Sequence, residues 1–166
     1  NGLYRENSKG EFNVPFGDYQ NPRILDEMNI RAVSAALEKA TISKRDFSYC
    51  TREAHEGDFV YFDPPYVPIS ETASFTSYSE GDFTLKDQEK VAKAFSILTQ
   101  KGVKVLYSNS YSEKVREIFD GIDGAIFNTV SASRFINCNG NGRGPVLEYA
   151  ITNFKPNVTQ ARLEIG

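Results

Sequence analysis

Only one histidine, His55, and two cysteines, Cys50 and Cys138, occur among the 166 residues, and the cysteines stand far apart. That scarcity excludes a Cys/His metal cluster and a disulfide framework, so no metal is expected in the chemistry. No stretch approaches the roughly 18 apolar residues that a membrane span requires, and no basic, apolar, small-residue series marks a signal peptide. A cytoplasmic protein with no membrane partner is expected. A basic surplus is missing too: 19 Lys and Arg against 22 Asp and Glu leave a net charge of −3. Dedicated nucleic-acid binders usually carry a positive excess, so any DNA contact has to be local. Arg5, Lys9, Arg134 and Arg143 are the candidate cations, the alternative for each being a solvated surface charge. What the chain does have is 40% hydrophobic and 13% aromatic content, enough for one modest core with a small appendage.

The most informative segment is Asp63-Pro64-Pro65-Tyr66, which follows the apolar run Phe59-Val60-Tyr61-Phe62. A carboxylate, a rigid turn and an aromatic ring thus emerge at the end of a buried strand, where open α/β sheets bind ligands. Two prolines fix φ and remove two backbone donors, so the carbonyls here leave the regular ladder and can face a ligand. An exocyclic amine on an aromatic base suits the set. Asp63 and a prolyl carbonyl accept its two hydrogens, and the Tyr66 ring stacks on the base. Two acceptors off the ring plane favour the pyramidal amine whose lone pair can attack a methyl donor, and preorganised dipoles meet the charge that develops. The competing reading of the same tetrapeptide is an ordinary strand end, with Asp63 bonding locally in the turn.

Residues 1–22 contain a turn signal, Asn7-Ser8-Lys9-Gly10, between short apolar stretches, and read as a hairpin carrying Arg5 and Tyr19. An arginine on a hairpin can enter a major groove and pair bidentately with guanine. From Asp26 to Ala40, Ile30, Val33, Leu37 and Ala40 recur at helical spacing, predicting a helix whose apolar stripe packs on a sheet. A β-prone piece follows at Thr41-Ile42-Ser43, and Asp46 is placed to cap a short helix. Val67 to Phe83 lacks periodicity and reads as a lid or DNA-facing loop. Thr84 with Asp87 forms a capping-box start for a helix presenting Val91, Ala94, Phe95 and Leu98 up to Gly102. Strands are predicted at Val103–Tyr107, Ala125–Val130 and Leu147–Phe154, with a shorter helix opened by Ser112. The order points to an α/β layer on a mainly parallel sheet. Between the last two strands, a Gly/Asn-rich tip flanked by Arg134 and Arg143 reads as an exposed hairpin making phosphate contacts. It lacks the Lys-Ser/Thr ending and the following helix of a phosphate loop.

Set beside Asn1-Gly2-Leu3-Tyr4-Arg5 and Gly10-Glu11-Phe12-Asn13-Val14-Pro15-Phe16-Gly17, the tetrapeptide resembles that of the Dam-like, alpha-group DNA adenine methyltransferases. Gly57 to Phe62, Phe75-Thr76-Ser77-Tyr78, Tyr107-Ser108-Asn109 and the Arg134–Arg143 segment with Glu148 beyond it match in the same order. The likeness runs from Asn1 to Phe154. It implies a partial Rossmann-like fold with an antiparallel carboxyl-terminal strand. Residues 1–22 would be part of a target-recognition domain, 23–154 a catalytic domain and 155–166 a tail. It further implies that Asp63, Pro64, Pro65 and Tyr66 hold a flipped adenine, at an extrusion cost of roughly a few kcal/mol that the pocket offsets. Asp46 and Phe47, together with Asp63, would line the pocket for S-adenosylmethionine. Asn1, Leu3, Arg5, Pro15 and Tyr19 match the recognition hairpin, with Arg5 reading the first guanine of GATC in double-stranded DNA. Ser70 and Thr72 join Arg134 and Arg143 as candidates for phosphate contacts.

Two departures qualify the resemblance. Asp18 stands near the hairpin's end, where some members carry a basic residue, and this affects how the last base pair is read. The family's Phe-x-Gly-x-Gly turn does not occur, so the expectation is the carboxyl-terminal part of a longer enzyme, binding S-adenosylmethionine weakly alone. Methyl transfer to an RNA guanine amine or a protein glutamine is the alternative enzyme reading, and a non-catalytic DNA-binding module is the alternative from another class.

Overall fold

The computed structural model describes residues 6–14, 24–69, 83–133 and 145–156. The chain divides into two compact units, Asn1–Lys44 and Arg45–Gly166.

In the first unit the predicted turn is present. Asn7 Oδ1 accepts the backbone N–H groups of Lys9 and Glu11, Gly10 takes φ 78°, and Glu6 bridges Phe12 in antiparallel fashion. Asparagine at the first turn position and glycine where φ is positive are the residues such a reversal needs. Helix α1, Glu27–Leu37, starts at Asp26, whose carboxylate accepts the Asn29 N–H. It ends short of the predicted Ala40, and its stripe is not core: Ile30, Val33 and Leu37 are 56%, 48% and 47% exposed. Amphipathic spacing specifies an apolar face without specifying what covers it, and the described part of this unit holds one bridge and no sheet. Thr41-Ile42-Ser43 is not a strand either.

The second unit is a mixed α/β layer. Its elements are α2 (Tyr49–Glu53), β1 (Phe59–Phe62), α3 (Leu85–Gln100), β2 (Lys104–Ser110), α4 (Glu113–Phe119), β3 (Ile126–Ser133) and β4 (Pro145–Thr152). Helix α3 begins as its sequence predicts: Thr84 accepts the Asp87 N–H, and Asp87 accepts the Thr84 N–H. Hydrogen bonds from Lys90 and Thr84 hold the Asp87 carboxyl well below its usual range. Gly102, at φ 74°, turns the chain from α3 into β2, and a Cβ there would meet the Glu56 side chain at 3.0 Å. Ser112 caps α4 by accepting the Val115 N–H.

The strand order is β1-β2-β4-β3. Only β1 and β2 are parallel, with Phe62 opposite Tyr107, whereas β4 is antiparallel to both β2 and β3. The expected antiparallel carboxyl-terminal strand is therefore present, but the described sheet is not mainly parallel. Because β4 inserts between β2 and β3, this one strand makes two antiparallel ladders. Pleating then divides the sheet into two faces. Phe62, Val105, Tyr107, Tyr149 and Ile151 are buried on one face together with Val91, Phe95 and Leu98 of α3 and Val115 and Phe119 of α4. The Phe119 ring meets Phe95 edge-on at 5.5 Å and Tyr107 at 4.5 Å. Burying each of these side chains stabilises the unit by about 1.5 to 3 kcal/mol. At β1 the opposite face is open among the described residues, with Phe59 and Tyr61 more than half exposed, so this strand is not buried as its apolar run predicts. No helix among the described residues is long and apolar enough to cross a membrane.

Candidate active site

The parallel ladder ends at Phe62, and beyond it the prolines offer no N–H to β2. Side chains replace the ladder. Gln88 of α3 donates from Nε2 to the Pro65 carbonyl at 2.7 Å, and Asn109 Oδ1 accepts the Val67 N–H at 2.8 Å. Ser110 Oγ donates to the Val67 carbonyl at 2.7 Å. Three backbone groups flanking Tyr66 are thus held by buried side chains, while the Pro64 carbonyl has no hydrogen-bond partner among the described residues. Behind this clamp the Tyr107 hydroxyl donates to Gln88 Oε1, and Asn109 Nδ2 donates to the Tyr107 oxygen, both at 2.7 Å. Gln88, Tyr107 and Asn109 are buried, and no buried side-chain N or O among the described residues lacks a partner. Unpaired, each would cost about 1 to 3 kcal/mol.

On the open face, Ser108 Oγ donates to Asp63 Oδ1 at 2.8 Å and lies 3.0 Å from the Tyr61 hydroxyl. The Tyr66 hydroxyl donates to Glu148 Oε2 of β4 at 3.2 Å. Burial pushes the Tyr66 phenol above its ordinary value of 10.0, the Ser108 hydroxyl opposes that push, and the negative charges of Glu148 and Asp63 add to it. Tyr66 is accordingly a neutral donor at physiological pH. Asp63 and Tyr66 are both exposed and Pro64 between them is half-buried, so a carboxylate and an aromatic ring face solvent on a segment whose backbone is held at Pro65 and Val67.

Asp46 and Phe47 come close to this strand end. The Phe47 ring sits edge-on to Phe62 at 6.4 Å and to Phe83 at 6.1 Å. Asp46 Oδ1 accepts the Ser48 N–H at 2.9 Å and its backbone carbonyl accepts the Tyr49 N–H, so it forms the turn that leads into α2. Hydrogen bonds from Ser48 lower its carboxyl pKa. Asn1, Leu3, Arg5, Pro15, Tyr19, Ser70, Thr72, Arg134 and Arg143 lie outside the described residues, as does nearly all of the Val67–Phe83 loop.

Sequence reasoning assigned no role to Gln88, Tyr61, Ser108, Asn109 or Glu148. A signal for two of them exists. Gln88, Val91, Phe95 and Leu98 share one helical face, and Val103, Val105, Tyr107 and Asn109 share one strand face, so each polar residue interrupts an apolar stripe next to the tetrapeptide. Tyr61, Ser108 and Glu148 carry no such mark.

Residues 1–135 match the D12 class N6 adenine-specific DNA methyltransferases. The chain belongs to that family. It is 42% identical to the type II methyltransferase M1.LlaDCHI of Lactococcus lactis subsp. cremoris, over 93% of this chain and 54% of the relative. Identity to the type II methyltransferase M.MjaIII of Methanocaldococcus jannaschii is 43%, over 93% of this chain and 53% of that protein. The DNA adenine methylase of Escherichia coli K12 is 35% identical, over 95% of this chain and 55% of the enzyme. The chain therefore spans about half the length of these curated relatives.

Proposed function

We propose that this chain carries the adenine-binding part of an enzyme that methylates N6 of adenine in double-stranded DNA, within GATC, after flipping the base out of the duplex. The observation that carries the reading is the exposure of Asp63 and Tyr66 on either side of the prolines, at a strand end clamped through Pro65 and Val67. Asp63 and the Pro64 carbonyl accept the two amine hydrogens, and Tyr66 stacks on the purine. Removing the amine's hydrogens from the ring plane directs its lone pair away from the base, and fixed acceptors stabilise positive charge on nitrogen. The pocket offsets the roughly few kcal/mol of unstacking.

S-adenosylmethionine, when bound, supplies a sulfonium methyl as electrophile and departs as S-adenosylhomocysteine, with one amine proton released. Phe47 offers its adenosine an aromatic ring beside Phe62 at the end of β1, and Asp46, the residue before it, a carboxylate held by Ser48. On this reading Arg5, Asn1, Leu3, Pro15 and Tyr19 belong to the recognition element, with Arg5 as the reader of guanine, and Ser70, Thr72, Arg134 and Arg143 are the phosphate contacts. Residues 1–22 form part of the recognition domain and 23–154 the catalytic domain. The names of the relatives, DNA adenine methylase among them, favour DNA over RNA or protein.

Asp63→Ala in the full-length protein tests the proposal. The expected outcome is loss of N6-methyladenine formation by at least ~1000-fold, with DNA affinity and melting temperature little changed because the residue is exposed. Retained methylation sinks the assignment. Loss of DNA binding alone, with catalysis intact at saturating DNA, favours a binding module instead.

A further inference from the structure

Asp63 has two carboxylate oxygens, and the open face treats them differently. Oδ1 receives the Ser108 hydroxyl at 2.8 Å, whereas Oδ2 has no partner among the described residues. A serine hydroxyl has one hydrogen, and a carboxylate only accepts, so Ser108 is the donor in that bond. Its hydrogen is then committed. The 3.0 Å contact between Ser108 and Tyr61 must have the phenol as donor. The direction of the whole chain follows: Tyr61 O–H to Ser108 Oγ, Ser108 O–H to Asp63 Oδ1.

Strand geometry explains why these three meet. Tyr61 and Asp63 are two residues apart and so project to the same side of β1, while the parallel register sets Tyr61 opposite Leu106. Ser108, two residues on from Leu106, lies on that same side one step nearer the strand ends. Asp63 lies past the last paired residue, Phe62, so no ladder holds it, and a carboxylate on an unpaired residue rotates freely about χ2 unless a neighbour stops it. Ser108 is half-buried between an exposed phenol and an exposed carboxylate. That placement serves neither core packing nor a cap.

We propose that Ser108, itself oriented by Tyr61, is a positioning residue that fixes the Asp63 carboxylate so that Oδ2 is the oxygen turned to the amine of the methyl acceptor. The inference rests on the adenine-methylation reading above and deepens it. The clamp of Gln88, Asn109 and Ser110 holds the backbone at Pro65 and Val67, and the Tyr61–Ser108 chain restrains the side-chain torsions of Asp63 that a fixed backbone leaves free. Neither residue touches substrate. Tyr61 reaches Asp63 only through Ser108, so their effects on Asp63 are coupled, whereas the neighbouring Tyr66 hydroxyl is a second contact of Ser108 that Tyr61→Phe leaves in place.

The test uses the full-length protein, adenine-unmethylated genomic DNA and S-adenosylmethionine, with N6-methyladenine counted by mass spectrometry. Ser108→Ala should lower kcat by ~10-fold, the scale of a lost hydrogen bond to a charged group, with KM for DNA and for S-adenosylmethionine within ~2-fold. Ser108→Thr, which keeps the hydroxyl, should restore kcat. Tyr61→Phe should lower kcat by ~3-fold in the parent and have no effect in the Ser108→Ala background, because its route to Asp63 is already cut. Unchanged kcat in Ser108→Ala, alongside an Asp63→Ala variant that is inactive, would overturn the positioning role and leave the site assignment standing. Additive losses from Tyr61→Phe and Ser108→Ala overturn it as well. So does a Ser108→Ala loss that Ser108→Thr fails to rescue and that tracks a fall in melting temperature. Activity surviving Asp63→Ala overturns the site assignment itself.

Discussion

The two sides of the sheet treat the same tetrapeptide in opposite ways. On the helix-covered side, Gln88, Tyr107 and Asn109 are buried and hydrogen-bonded to one another, with Gln88 and Asn109 directed at backbone atoms of Pro65 and Val67. On the open side, Tyr61, Asp63, Tyr66 and Glu148 are at least partly exposed and bonded to one another's side chains, with Ser108 between them. In the interior, an unpaired polar group costs far more than in water, so the buried network determines shape. At the surface a side-chain hydrogen bond contributes little to stability and remains free to serve a ligand. The difference separates folding from chemistry within one short segment: variants behind it should unfold the site, and variants in front should disable it while the fold stands.

The largest test of that division is Gln88→Leu. It strands the Pro65 carbonyl and removes the partner of the Tyr107 hydroxyl, and should cost about 2 to 4 kcal/mol in chemical denaturation. A loss below about 0.5 kcal/mol would mean that the buried side is not what holds the segment.

Tyr107→Phe sharpens the comparison through pH. Burial pushes the Tyr107 phenol far above its ordinary 10.0, so the fold favours the protonated form. The group's contribution is therefore fully present below pH 10 and is lost as pH rises beyond it. Parent stability should decline between pH 9.5 and 11 more steeply than that of Tyr107→Phe, which at neutral pH is about 1 kcal/mol less stable. Equal slopes in denaturation series across that range would place the phenol in contact with water.

Glu148→Gln, on the open side, should change stability by less than about 1 kcal/mol. Burial remains the leading cause of the raised Tyr66 pKa, but one of the two negative charges that add to it is gone. The tyrosinate transition that Tyr66→Phe removes should shift down toward 10 and stay above it, as read from absorbance during alkaline titration. A stability loss as large as that of Gln88→Leu would erase the distinction between the faces.

Much of the site was legible because its signals are local. The apolar run before Asp63, the doubled proline and the Thr84/Asp87 box each involve residues within four positions; strand and helix start appear where the pattern places them, but β1, at the end of the described sheet, is half exposed and not buried. Asp46 was read both as a cap and as a cofactor contact; the N-cap of α2 is Ser48, and Asp46 forms the turn just before it. The stripe of α1 was misread as core because periodicity reports a face and not its cover. The mainly parallel sheet failed for a related reason: alternation of strand and helix specifies layers, but not where the last strand inserts.

Short-range stereochemistry, written in the chain itself, determined that a carboxylate and an aromatic ring emerge together at the end of β1, since prolines and alternating side chains need only their neighbours to act. Tertiary structure alone decided what surrounds them. It brought Glu148 across 82 positions to the Tyr66 hydroxyl and Ser108 across 45 to Asp63, and turned Gln88 under Pro65. Those meetings depend on strand order and register, which arise from the packing of distant segments and have no local code.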